Sequence, residues 1–93
     1  MFYVYLIKTI NGHKKKSYVG YTNNIKKRLI KHNLNKGAKS TKGYKWELVY
    51  KKKFNSKNKA LSYEYKLKND RNLRNKLKYN FLKNNENFNF TTI

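Results

Sequence analysis

Residues 2–21 read FYVYLIKTINGHKKKSYVGY, and the fold turns on this stretch. Its first part, Phe2 to Ile10, is apolar, β-branched and aromatic, the composition of a strand. Asn11-Gly12 then opens a polar loop through Lys16, which suits a hairpin. Ser17 to Tyr21 reads as the returning strand. Side chains alternate along a strand, so Tyr3 and Tyr5 share one face while Phe2, Val4 and Leu6 share the other. A hairpin would bring Tyr5 near Tyr18. Gly20 marks a place where backbone or ligand must approach closely.

Outward from the hairpin, Thr22 or Asn23 can cap a helix to about Asn33, with Ile25, Leu29 and Ile30 or His32 spaced for one face. Lys36 to Lys45 is basic, glycine-containing and loop-like. Trp46 to Phe54 reads as a third strand with only fair alternation. Asn55 or Ser56 can cap a second helix through about Lys68. A third amphipathic stretch, from about Asp70 to Leu82, carries Leu73, Leu77 and Phe81 at four-residue spacing. The predicted class is α/β in the α+β sense: a small three-stranded, largely antiparallel sheet flanked by helices, in the order β-β-α-β-α-α. One domain over residues 1–84 is expected, followed by a polar C-terminal tail over 85–93 that frays.

The chain has 93 residues, with 24 Lys and Arg against 4 Asp and Glu, a formal net charge of +20. Self-repulsion of that size opposes compaction, so an anionic partner is expected. Nucleic acid fits, because each neutralised phosphate releases counterions. AT-rich codons alone would raise the Lys, Asn, Ile, Tyr and Phe content, but they do not explain the shortage of acids. No run approaches the ~20 apolar residues of a membrane span, and no signal peptide is evident. No membrane partner is therefore expected, and an intracellular location is the default. The absence of cysteine excludes disulfides and thiolate metal sites.

Glu47, Glu64, Asp70 and Glu86 are the only acids. Glu64 lies four residues after Ala60 and three before Leu67, so it shares their inward face. A carboxylate there costs several kcal/mol if buried unpaired. Its partner could be a lysine in a structural ion pair, or a metal. Arg28 and His32 stand one above the other on the first helix. They could grip a phosphate, or belong to a solvated basic face with Lys26, Lys27 and Lys31. Tyr5 and Tyr18 could act as phenols in chemistry if positive charge lay beside them, or simply pair across strands. For Tyr3 and Tyr21 the pairing reading stands.

The order of these features is more specific than any one of them. YVY at 3–5 followed by YVG at 18–20 resembles the paired motif of the GIY-YIG nuclease family. TNNIKKRLIKHN (22–33) is similar to that family's first helix, which places an Arg ten residues beyond the motif Tyr, as 28 − 18 does here. KNKALSYEYKLK (57–68) resembles the helix of the metal-binding Glu. GAKSTKGYKWELVY (37–50) looks like the loop and third strand of the small stand-alone, UPF0213-like branch. The first motif departs from the family's pattern in reading YVY. An Asn that some members carry about twelve residues after the Glu falls here on Lys76 and is not carried over.

The resemblance implies metal-dependent hydrolysis of a DNA phosphodiester. Tyr18 would be the general base, Tyr5 would orient it or the nucleophile, and Arg28 would stabilise phosphoryl charge. His32 would touch phosphate or share the base role. Glu64 would hold Mg²⁺, or Mn²⁺ in its place. Gly20 would leave room for DNA, and Lys39, Ser40, Thr41 and Lys42 would contact phosphates without reading sequence. The expected cleavage is structure-selective or weakly sequence-selective, since no targeting domain follows the core, and a protein partner could supply targeting. RNA is open as a substrate, because phosphate contacts do not distinguish the sugars. The competing readings are a non-catalytic nucleic-acid-binding module and a family member with negligible activity of its own.

Overall fold

A computed structural model describes residues 1–10 and 14–92, with only the backbone over 85–92. Strands β1 (Phe2–Thr9), β2 (Ser17–Thr22) and β3 (Trp46–Phe54) form one antiparallel sheet in the order β2-β1-β3. Helix α1 (Ile25–Asn33) lies between β2 and β3 in sequence, and α2 (Lys57–Asn69) and α3 (Arg71–Thr92) follow. The chain order is therefore the β-β-α-β-α-α expected. The Asn11-Gly12 turn lies outside the described residues.

Strand β1 is central, paired along both edges, and side chains pack on both of its faces. Val4 and Leu6 pack with Val19 against Ala60 and Leu67 of α2, and Leu73 and Leu77 of α3 join them. Tyr5 and Ile7 face the other way and pack with Trp46, Ile25 and Leu29. Tyr5 is thus buried instead of lying on a wet sheet face. Phe2 and Tyr21 stack with ring centroids 6.1 Å apart, the cross-strand pairing expected of Tyr21.

The fair alternation of β3 has a physical cause. Leu6 pairs with Tyr50 but Ile7 pairs with Leu48, so Val49 is an extra residue in a bulge. Lys51, Lys52 and Lys53 follow on this edge strand, all exposed, where charge discourages further strand pairing.

Caps set the helix starts. The Asn24 side chain accepts from Lys27 N at 3.0 Å, so the cap falls just after the Thr22 or Asn23 expected. Thr22 Oγ1 instead accepts from Asn24 N. Ser56 caps α2 as expected. Asp70 Oδ1 accepts from Leu73 N at the start of α3, and Arg74 donates to the Leu67 and Lys68 carbonyls at the end of α2. Helix α3 runs to Thr92, past the end expected near Leu82.

Candidate active site

Tyr5, Tyr18, Arg28 and His32 converge on the α1 face of the sheet. Tyr5 lies opposite Gly20 in the β1–β2 ladder and Tyr18 opposite Ile7, so the two phenols are diagonal neighbours on one face. Their ring centroids are 6.3 Å apart. The His32 ring sits 5.8 Å from that of Tyr5 and 5.1 Å from that of Tyr18.

Hydrogen bonds join these groups into a chain with one direction. Thr41 Oγ1 donates to the Ala38 carbonyl at 2.8 Å, which uses its only proton. Facing His32 Nδ1 at 2.9 Å, that oxygen must therefore accept, which puts a hydrogen on Nδ1. His32 Nε2 is then an acceptor, and the Tyr5 hydroxyl donates to it at 2.8 Å. Arg28 Nε donates in turn to the Tyr5 oxygen at 3.3 Å. Among the described residues no buried side-chain polar atom lacks a partner.

Two glycines make room for the chain. A Cβ on Gly20 would lie 2.3 Å from the Tyr5 hydroxyl oxygen, so the ring crosses the space a side chain would fill. A Cβ on Gly37 would lie 2.3 Å from His32 Nδ1. The loop carrying Gly37 and Thr41 is itself pinned. Asn33 accepts from Trp46 N and donates to Trp46 O, while the Trp46 indole donates to Thr41 O at 3.0 Å.

Electrostatics follow from burial. Burial pushes the Tyr5 phenol up to about 12, although the Arg28 guanidinium pulls the other way. Tyr5 is therefore protonated at neutral pH, with its proton committed to His32. Burial, reinforced by Arg28, lowers His32 to about 4, which leaves a neutral imidazole. The hydrogen bond to Tyr5 is the main reason Arg28 holds its proton even more firmly than usual, against its own partial burial.

Glu64 comes from α2. Its side chain is 18% exposed and makes a 3.5 Å ion pair with Lys68, which is 50% exposed. An i,i+4 pair of that exposure contributes only ~0.3–0.5 kcal/mol, too little to account for drawing a carboxylate inward. Its charge is also felt at the Tyr5 hydroxyl. Among the described residues no three His, Cys, Asp or Glu side chains group together to cage a metal. A lone, partly covered carboxylate fits a hard cation that keeps several waters and leans on substrate phosphates, as Mg²⁺ does.

Three expectations change. Thr41 does not reach phosphate: it is wholly buried, and its hydroxyl is spent on His32 and Ala38. His32 does not touch phosphate either, because it is fully buried with both ring nitrogens engaged. Gly20 clears space for Tyr5 and not for DNA. Lys39, Ser40 and Lys42 are exposed on or beside the short 3-10 turn over Lys39–Thr41, as a phosphate contact requires. The sequence reading gave no role to Gly37, Asn33 or Trp46. Asn33 and Gly37 flank the helix end, and only their long-range partners give them meaning.

Comparison with known proteins identifies the family. The family described as the GIY-YIG catalytic domain matches residues 1–80. A UPF0213 protein of Staphylococcus saprophyticus is 43% identical over 67 residues, covering 71% of this chain and 78% of that protein. One from Oceanobacillus iheyensis is 42% identical over 67 residues, 71% of this chain and 74% of its own length. A third, from Streptococcus pyogenes, is 39% identical over 79 residues, 83% of this chain and 82% of that protein. No solved structure gives a significant match. No helix among the described residues is long and apolar enough to cross a membrane. With a GIY-YIG match across most of its length and relatives that are small UPF0213 proteins, the chain belongs to the GIY-YIG family of nuclease domains, in its stand-alone UPF0213 group.

Proposed function

We propose that the protein is a divalent-metal-dependent endonuclease that hydrolyses phosphodiester bonds of DNA, with structure-selective or weak sequence preference. The observation that carries this reading is the one-way chain from Arg28 to Tyr5 to His32 to Thr41. A pure binding surface has no need to fix the proton of a buried phenol.

That chain separates the roles of the two tyrosines. Tyr5 keeps its proton and donates it in a hydrogen bond to His32, so at neutral pH it cannot take one from water. Tyr18 is only partly buried and stands beside it, so the general-base role falls to Tyr18. A phenol serves as a base only where positive charge stabilises the phenolate. Arg28, part-exposed and held by Tyr5, supplies such charge and can also stabilise the phosphoryl oxygens in the transition state. His32 is a positioning residue, acting through Tyr5.

Glu64 would hold the metal, Mg²⁺ or Mn²⁺. The metal supplies charge stabilisation at the scissile phosphate and leaving oxygen. Lys39, Ser40 and Lys42 would seat the flanking backbone. The test is cleavage of plasmid and branched DNA with Mg²⁺ and with chelator, by the protein and by its Tyr18→Phe, Arg28→Ala and Glu64→Ala variants. Cutting that depends on metal and on all three residues supports the reading. Binding without cutting, across metals and substrates, favours a non-catalytic module.

A further inference from the structure

A second concave surface lies outside the candidate site. It is a groove of about 690 Å³ between the end of the β1–β2 hairpin where Thr9 and Ser17 lie and helix α3. Its lining combines Lys15, Lys16 and Lys78 with Ile10, Tyr79 and Leu82. Its apolar part is exposed: Tyr79 is 63% exposed and Leu82 53%.

The charges around the groove are not all equivalent. Lys8 also lines it, but its ammonium is already 2.8 Å from Glu47. Lys16 lies 4.7 Å from the centre of the Tyr44 ring. Lys15 and Lys78 form no ion pair among the described residues. The described acids are committed elsewhere: Glu47 to Lys8, Glu64 to Lys68, and Asp70 to the Leu73 amide. Lys78 also shares its stretch of α3 with Arg71 and Arg74. Burial first, and then these two arginines, make it harder to keep Lys78 charged. An anion in the groove would relieve that repulsion.

An exposed aromatic face beside unpaired lysines is the arrangement on which bases stack while phosphates are neutralised. A blunt duplex hides its base faces and could use only the lysines. The position is also suggestive, because Ser17 lines the groove and the next residue, Tyr18, belongs to the candidate active site. Successive residues of a strand face opposite ways, so the two regions meet around the β2 edge of the sheet.

We propose that this groove binds an unpaired nucleic-acid strand, with phosphates on Lys15 and Lys78 and a base on the Tyr79 ring. The inference rests on the nucleic-acid reading above and extends it to the strand flanking the scissile phosphate. It adds a reason for structure selectivity, since a branch, flap or single-stranded overhang offers such a strand and a blunt duplex does not.

The test measures binding in chelator, so that cleavage plays no part. Fluorescence anisotropy would follow a labelled oligothymidylate of about ten residues, within the span such grooves cover, and a blunt duplex of equal length. Tyr79→Ala should weaken the single strand about fivefold or more and leave the duplex within about twofold. Tyr79→Phe, which keeps the stacking face, should bind like the parent. Lys78→Gln should cost more than Lys57→Gln, the same charge change at an exposed site elsewhere. Unchanged urea midpoints would establish that the variants fold. The proposal is overturned if Tyr79→Ala and Lys57→Gln behave alike, if both probes weaken equally, or if oligoglutamate of matched charge displaces the strand as well as oligothymidylate does. A protein that binds as described but never cuts would sink the nuclease reading and leave the groove standing. One that cuts while Tyr79→Ala binds normally would do the reverse.

Discussion

The imidazole of His32 rests on the bare backbone of Gly37, at a point where a Cβ would come within 2.3 Å of Nδ1. The ring cannot move aside cheaply, because Tyr5 holds one nitrogen and Thr41 the other. Gly37→Ala should therefore destabilise the fold by about 1–3 kcal/mol, the usual cost of overpacking. A urea titration reads this directly, and a midpoint equal to the parent's would show that the loop yields freely.

Acid should destabilise the protein through His32. Its folded-state value of about 4 is depressed from the ordinary 6.5, so as pH falls the unfolded chain takes up the proton first. The stability from the neutral ring is present in full above about pH 6.5 and is lost as pH falls towards 4. The shift corresponds to roughly 3 kcal/mol at most. Urea midpoints at pH 7 and pH 4.5 should differ clearly more in the parent than in His32→Gln. An equal difference in both would remove His32 from the account.

Thr41→Val keeps the shape of the side chain but strips the acceptor from His32 Nδ1–H. Leaving that buried donor unpaired should cost about 1–3 kcal/mol. If His32 acts by orienting Tyr5, the turnover rate should fall about tenfold or more, with KM for DNA little changed, and Thr41→Ser should restore both. A rise in KM alone would instead return Thr41 to the phosphate contacts.

Binding to duplex DNA should weaken steeply with salt. Lys39→Gln and Lys42→Gln should each reduce the slope of log affinity against log salt by about 0.9. Thr41→Val should leave the slope unchanged, because Thr41 is buried. Slopes from a salt titration of each variant check this.

The β1–β2 hairpin strands, the β3 limits and the Ser56 cap were legible because each depends on neighbours in sequence. Trp46–Phe54 shows the boundary of that kind of reading. Its strand was evident, but the bulge at Val49 that spoils its alternation exists only in the pairing with β1. The site was legible to the same degree. Motif spacing marks Tyr18, Arg28 and Glu64, whereas the function of His32 depends on Tyr5, 27 residues away, and Thr41, nine residues away. Reading Gly20 as a place of close approach was sound, but the approaching group is Tyr5. A glycine in a strand tells that something comes near, not what.

Metal-dependent cutting is the central claim, and a labelled branched DNA duplex incubated with the protein and Mg²⁺ tests it most directly. The parent should cut with Mg²⁺ and be silent in chelator. Glu64→Ala should lose about a hundredfold or more in rate, on the scale of removing one charge-stabilising group, while binding the DNA as before. Cutting that persists in chelator, or at full rate in Glu64→Ala, would contradict it.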